Sequence, residues 1–156
     1  MQITASNQVR VGNTSVSSIG GQVGWTTFSD ERIKTAIKED IVGLDFIMRL
    51  RPVSYIYDYA RFFQLTSGKP FAGNAGDNPN SNIRFSGFIA QEVEAAAKVV
   101  QYDFSGIDKP VNANTPYGIR YAEMVVPLVK AMQEMKQLID NQQLEIEALK
   151  QLLKSK

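Results

Sequence analysis

A chain of 156 residues with no histidine and no cysteine has few routes to covalent chemistry. Disulfides, cysteine nucleophiles, zinc sites built on Cys or His and every Ser-His triad are excluded together. A nucleophile has to be Ser or Thr, and its base has to be Lys, Asp or Glu. The string Ser29-Asp30-Glu31-Arg32-Ile33-Lys34 brings such residues together, where a turn-rich β pattern gives way to a helical one. Taken alone, Ser29 reads equally well as a helix N-cap and Lys34 as a solvated helix position. Positions five apart on one α-helix are separated by about 140° and share no face. Ser29 and Lys34 therefore meet only if Ser29 lies outside the helix and the chain folds back, or if the lysine comes from another subunit.

The elements around this string fall into three stretches. Residues 1–28 read as strands and turns, with Ile3, Val9, Val11, Val16, Ile19, Val23 and Trp25 separated by Ser, Thr, Asn and Gly. These apolar residues are too few to bury a core within one copy. Pairing with further copies in an elongated β-rich stalk is the expected resolution, and a loose N-terminal arm is the alternative. From Asp30 the period changes, and Ile33, Ile37 and Ile41 predict one face of a helix with acidic residues in its first turn. Gly43 interrupts, and a second short helix runs through Leu44, Ile47, Met48 and Leu50 to stop before Pro52. Val53–Tyr57 is β-branched and aromatic and predicts a strand, and Arg84–Ile89 predicts another. Between them lies a Gly/Asn/Pro loop over residues 67–82. Gln91–Ala97 predicts a short helix and Val99–Tyr102 a brief strand, followed by irregular chain to Tyr117.

The tail carries the clearest pattern. Val125, Leu128, Met132, Met135, Ile139, Gln142, Ile146, Leu149 and Leu153 alternate spacings of three and four without a break. This is an a/d seam over about four heptads, and with polar flanks it predicts a coiled coil rather than a helix docked on its own domain. Gln142 is the one polar seam residue, a type of substitution that fixes register and strand number. Glu145 at g can reach Lys150 at e of a neighbouring helix. The pattern does not choose between two strands and three. Pro127 sits near the helix start, where it costs least.

Composition sets outer bounds. Apolar residues make up 44% and charged residues 21%, ordinary values for a folded soluble protein. A net charge of +1 gives no electrostatic case for nucleic acid or an anionic membrane, and no apolar run approaches a membrane span. Met1–Ser15 lacks a charged-then-apolar leader layout, and if Met1 is not the natural start the chain is the C-terminal piece of something longer. No cofactor and no metal ion is expected.

The segments SDERIK, LRPVSYIYD, GFIAQEVE and YAEMVVPLVKAMQEM occur in that order ahead of the heptad tail. As a set they resemble the C-terminal intramolecular chaperone domain that ends phage tail spikes, tail fibres and endosialidases and recurs in myelin regulatory factors. The resemblance covers residues 29–156, and the preceding IGGQVGWTTF looks like the end of a trimeric β-structured fibre. It implies an α+β fold: a small mixed helix/strand domain with a long C-terminal coiled-coil helix and an N-terminal β-rich stalk, assembled as a homotrimer. The expected divisions are a stalk end over 1–28, a globular chaperone domain over 29–120 and the coiled-coil helix over 121–156.

The resemblance also implies an activity. The domain would drive trimerisation and folding of the fibre or spike before it, then release itself by cutting immediately before the Ser of its SD motif. Carried over, Ser29 is the nucleophile, Lys34 the base, Asp30 the acidic neighbour and Phe28–Ser29 the scissile bond. Many members have a His shortly before the GFIAQE segment, where this chain has Arg84-Phe85-Ser86-Gly87, which removes any auxiliary part for that His. A neutral lysine can take the Ser29 proton if burial lowers its pKa from the usual ~10.4. Main-chain N–H groups near Glu31 and Arg32 would then face the oxyanion. Expected partners are two further copies of the chain and the upstream passenger, in a phage tail or a bacterial surface fibre that folds in the host cytoplasm. The alternatives are a permanent trimerisation cap that never cuts, or an unrelated adaptor with a coiled-coil tail.

Overall fold

The computed structural model describes residues 8–155. It is mixed helix and strand, in two units. The first comprises the chain up to Glu39, together with Pro52–Gly87 and Lys109–Pro116. Its centre is an antiparallel pair, β1 (Val53–Ile56) with β2 (Arg84–Gly87), in the register Val53 to Gly87 and Tyr55 to Phe85. Tyr55, Tyr57 and Phe85 cluster on one face, with the Tyr57 and Phe85 ring centres 5.3 Å apart. Between the strands runs α2 (Tyr59–Ser67). Its ends are marked in the sequence by Asp58, which accepts from Arg61 N–H, and by Gly68 at φ +67°, a left-handed stop that suits glycine. The aromatic residues of α2 form no clean stripe, so only these caps announce it.

The second unit comprises Asp40–Arg51, Phe88–Asp108 and Tyr117–Lys156. It holds α1 (Leu44–Met48), α3 (Ala90–Val99), the short pair β3 (Ile107–Asp108) with β4 (Gly118–Ile119), and α4 (Val125–Lys154). Its core is Phe46, Val93, Ala96, Ala97, Phe104 and Met124. Phe46 is fully buried and meets the rings of Tyr102 and Phe104 at 5.3 and 5.2 Å. The α3 residues Ala90, Val93 and Ala97 fall at spacings of three and four, and so present one small-residue face inward.

Helix α1 depends on α4. Its N-cap is Gly43, which has no side chain to offer, and Glu134 Oε2 of α4 accepts the Leu44 N–H at 2.6 Å instead. The approach is close enough that a Cβ on Gly43 would lie 2.6 Å from the Ala131 nitrogen and 2.7 Å from Glu134 Oε2. Pro127 and Ala131 are the buried residues of α4, and Pro127 lies in the first turn, where no helical hydrogen bond is lost. The seam residues face elsewhere. Val125, Leu128, Met132, Met135, Ile139, Ile146, Leu149 and Leu153 are 43–76% exposed, and Gln142 is exposed among them.

Two local expectations are corrected. The helix predicted through Ile33, Ile37 and Ile41 does not form: a 3-10 turn covers Glu31–Ile33, and Ala36 takes a left-handed φ of +53°. Ile33 and Ile37 are each 68% exposed, and a short β-branched segment with no surface to pack on does not hold a helix. The strand predicted over Val99–Tyr102 is instead the end of α3. Gln101 at φ +53° stops the helix, Tyr102 N–H donates to Ala97 C=O and Gln101 N–H to Lys98 C=O, the paired bonds of a Schellman motif. Among the described residues no strand precedes Val53, because a strand needs a ladder partner and one chain offers none there. Val9, Val23, Trp25 and Phe28 are at least 87% exposed. The part of the stalk expectation that rests on Ile3 lies outside the described residues.

Candidate functional site

The site is assembled by one tight turn. Asp30 has an extended backbone and acts as the N-cap of the 3-10 turn, its Oδ1 accepting the Arg32 N–H at 2.9 Å. Ile33 N–H donates to Asp30 C=O and Lys34 N–H to Glu31 C=O, which closes the turn in three residues. Ser29 stands just before this turn and Lys34 just after it. The side chains therefore converge, and Lys34 Nζ donates to Ser29 Oγ at 2.7 Å. Of the two ways the sequence allows these residues to meet, the structure adopts the fold-back within one chain. Both residues lie outside the three-residue turn, and Lys34 leaves it in extended backbone, which achieves what one continuous α-helix would forbid.

Asp30 is drawn into the turn. Arg32 grips both its oxygens, Nε at 3.0 and 3.1 Å and Nη2 at 2.5 Å, and holds its carboxyl below the usual carboxylate range. Its observed part is to cap and brace the turn that presents Ser29 and Lys34. Arg32 N–H is likewise taken by Asp30, so of the two main-chain donors near the nucleophile Glu31 N–H stands at the orphan first position. Phe28, Ser29 and Lys34 are all exposed. The burial that a neutral lysine base requires is thus not supplied by a single chain.

Residues 29–102 match the family model described as chaperone of endosialidase, whose name places it among the serine peptidases. That segment, just under half of the chain, is similar to the family. The chaperone-of-endosialidase match begins on Ser29, the first residue after the expected scissile bond, and takes in the 3-10 turn and all elements through α3. It ends at Tyr102, ahead of β3, β4 and α4. No curated protein and no solved structure matches the chain.

Within the family segment the structure joins two of the motifs that carry the resemblance. Arg51 of LRPVSYIYD forms a two-pronged pair with Glu92 of GFIAQEVE, Nη2 to Oε1 at 2.5 Å and Nε to Oε2 at 3.1 Å. Arg51 depresses the Glu92 carboxyl below its ordinary range. Spacing along the chain could not have found this pair, nor the Glu134 cap on α1, since the partners lie 41 and 90 residues apart. Among the described residues no acidic cluster is arranged to hold a metal ion, and no helix is long and apolar enough to cross a membrane.

Proposed function

We propose that this chain assembles as a homotrimer, guides the folding of a β-rich fibre or spike upstream of it, and frees that passenger by cutting its own Phe28–Ser29 bond. The observation that carries the reading is the 2.7 Å contact between Lys34 Nζ and Ser29 Oγ at the first residue of the family segment. Assembly draws support from the uncovered seam of α4, eight apolar residues on one stripe with a polar residue at Gln142. Further support comes from the exposed apolar residues between Val9 and Phe28, which have nothing to pack on within one chain.

In the reaction, neutral Lys34 Nζ takes the proton of Ser29 Oγ, and the oxygen bonds to the Phe28 carbonyl carbon. Glu31 N–H faces the charge that develops on the carbonyl oxygen. As the bond to the Ser29 nitrogen breaks, the lysine returns its proton to that nitrogen, leaving Phe28 as an ester on Oγ. Water hydrolyses the ester to a Phe28 carboxylate and a chain that begins with a free Ser29 amine. Neighbouring copies supply the cover over Lys34 that the lone chain lacks, so cutting waits for assembly. The working site of the protein would be a phage tail or a bacterial surface fibre.

Mass spectrometry of freshly expressed protein tests scission, and light scattering tests assembly. A fragment whose N-terminus is Ser29 and a threefold mass are expected. A trimer that stays at full chain length refutes the dyad and leaves a permanent cap. A compact monomer at micromolar concentration refutes the trimer.

A further inference from the structure

Between Val9 and Asp40 every residue is exposed except Thr14. This single anchored point lies in an Asn-rich turn, where Ser15 N–H donates to Asn13 Oδ1 at 2.8 Å and Val16 N–H to Asn13 C=O at 3.3 Å. The turn rests beside a cleft of about 290 Å³ lined by Asn13, Thr14, Tyr59, Phe62, Phe63 and Phe71 of the same unit. A second Asn-rich turn, Asn78-Pro79-Asn80, grips it. Asn80 is 4% exposed, one of two buried polar side chains among the described residues. Its Nδ2 donates to Thr14 C=O at 3.0 Å and to Val16 C=O at 3.1 Å. Asn78 Nδ2 adds a bond to Thr14 C=O at 3.1 Å, while its Oδ1 accepts Asn80 N–H at 2.8 Å and sets the turn.

All three bonds to the upstream segment end on main-chain carbonyls. A buried carboxamide has to find partners, and here it finds them on a segment 64–66 residues away rather than in its own loop. Such a grip reads the main-chain carbonyls of the turn in place and makes no bond to its side chains. Asn13–Val16 lies on the passenger side of the Phe28–Ser29 bond, and the two Asn belong to the family segment.

We infer that Asn78 and Asn80 form a main-chain clamp that holds the upstream segment at Thr14–Val16, and that the passenger end stays docked after scission until the clamp opens. The retention half of this inference rests on the function proposed above; the clamp itself does not. Its ligand class is the turned main chain at the passenger's end, recognised through the Thr14 and Val16 carbonyls rather than through side chains.

The variant Asn78→Asp/Asn80→Asp separates these ideas. Each aspartate keeps the side-chain volume and an acceptor oxygen, so the side chain at position 78 still accepts the main-chain N–H of position 80, but the donated hydrogens are gone. Hydrogen exchange of Ser15 and Val16 in the full-length Ser29→Ala chain reads the clamp without any scission. Exchange on the order of 100-fold faster is expected from three lost bonds at roughly fivefold each, with α3 unchanged. Equal protection with and without the substitutions overturns the clamp. If the double variant fails to fold, Asn78→Asp alone removes one bond and should speed exchange about fivefold. In the self-cleaving chain, the upstream product should co-elute with residues 29–156 and separate from them in the double variant. Separation in both chains overturns retention. A chain that never cuts refutes the proposed function and leaves exchange to decide the clamp.

Discussion

Replacing Lys34 separates a catalytic contact from an ordinary surface one. In the isolated chain the Lys34–Ser29 bond is a single hydrogen bond between exposed side chains. Its loss should cost at most about 0.5 kcal/mol, a shift of roughly 1–2 °C in the unfolding midpoint for a chain of this size. The turn itself should survive, since Asp30, Arg32 and the main-chain bonds of Ile33 and Lys34 hold it without the lysine side chain. The effect on scission should be far larger. A positioned general base is worth about 10²–10⁴ in rate, or ~2.7–5.4 kcal/mol of barrier at 1.36 kcal/mol per tenfold. The assay follows the appearance of the Ser29 N-terminus by mass spectrometry over hours, with circular dichroism and light scattering on the same samples. Lys34→Ala and Lys34→Arg should both leave fold and assembly state intact and slow cutting by at least a hundredfold. The arginine variant is the sharper of the two, because it keeps the positive charge and a donor to Ser29 Oγ but does not deprotonate. Cutting by Lys34→Arg at the parent rate would mean that the contact is only a surface hydrogen bond and that Ser29 is a turn residue.

Gly43→Ala should destabilise the chain by roughly 3–5 kcal/mol, combining overpacking against the Ala131 main chain with disturbance of the charged Glu134 cap. Urea unfolding measures it, and a loss below about 1 kcal/mol would contradict so close an approach of α1 and α4. Ile146→Asp should leave the unit's core folded, because Ile146 lies far along α4 from the buried residues Pro127 and Ala131, yet dissociate the proposed trimer by burying carboxylates without partners. Light scattering at matched concentrations decides this, and an intact trimer rules the seam out. The Arg51–Glu92 pair predicts an acid-side stability difference. Glu92 is depressed in the folded chain, so its contribution is present above the unfolded carboxyl range and fades as pH falls through the folded value. The unfolding midpoint of Arg51→Ala should therefore lie below the parent's at neutral pH and converge with it in acid; a pH-independent gap would place the arginine's effect elsewhere.

What could be read from the sequence divides by where a residue's partners lie. Helix α4 was legible because its period repeats over thirty residues, and α1, β1, β2 and α3 were legible because Pro52, the β-branched run at Val53 and the small-residue face of α3 act locally. The convergence of Ser29 and Lys34 was legible only as a condition, met once Asp30 caps a 3-10 turn in place of an α-helical one. Glu134 on Leu44, Arg51 on Glu92 and Asn80 on Thr14 were illegible, since nothing along the chain ties residues 90, 41 and 66 positions apart. The failures of a local pattern in the N-terminal stretch have a common character. Strand-like residues 9–25 lack a ladder, and Ile33 and Ile37 lack a surface, so that the single chain leaves them in solvent. The apolar seam of α4 is left uncovered in the same way. A sequence spends β-branched and aliphatic residues where they will be buried. That these three stretches precede, share or follow the Ser29–Lys34 turn fits the proposed assembly, in which neighbouring copies cover all three and, in doing so, close over the lysine that has to lose its proton.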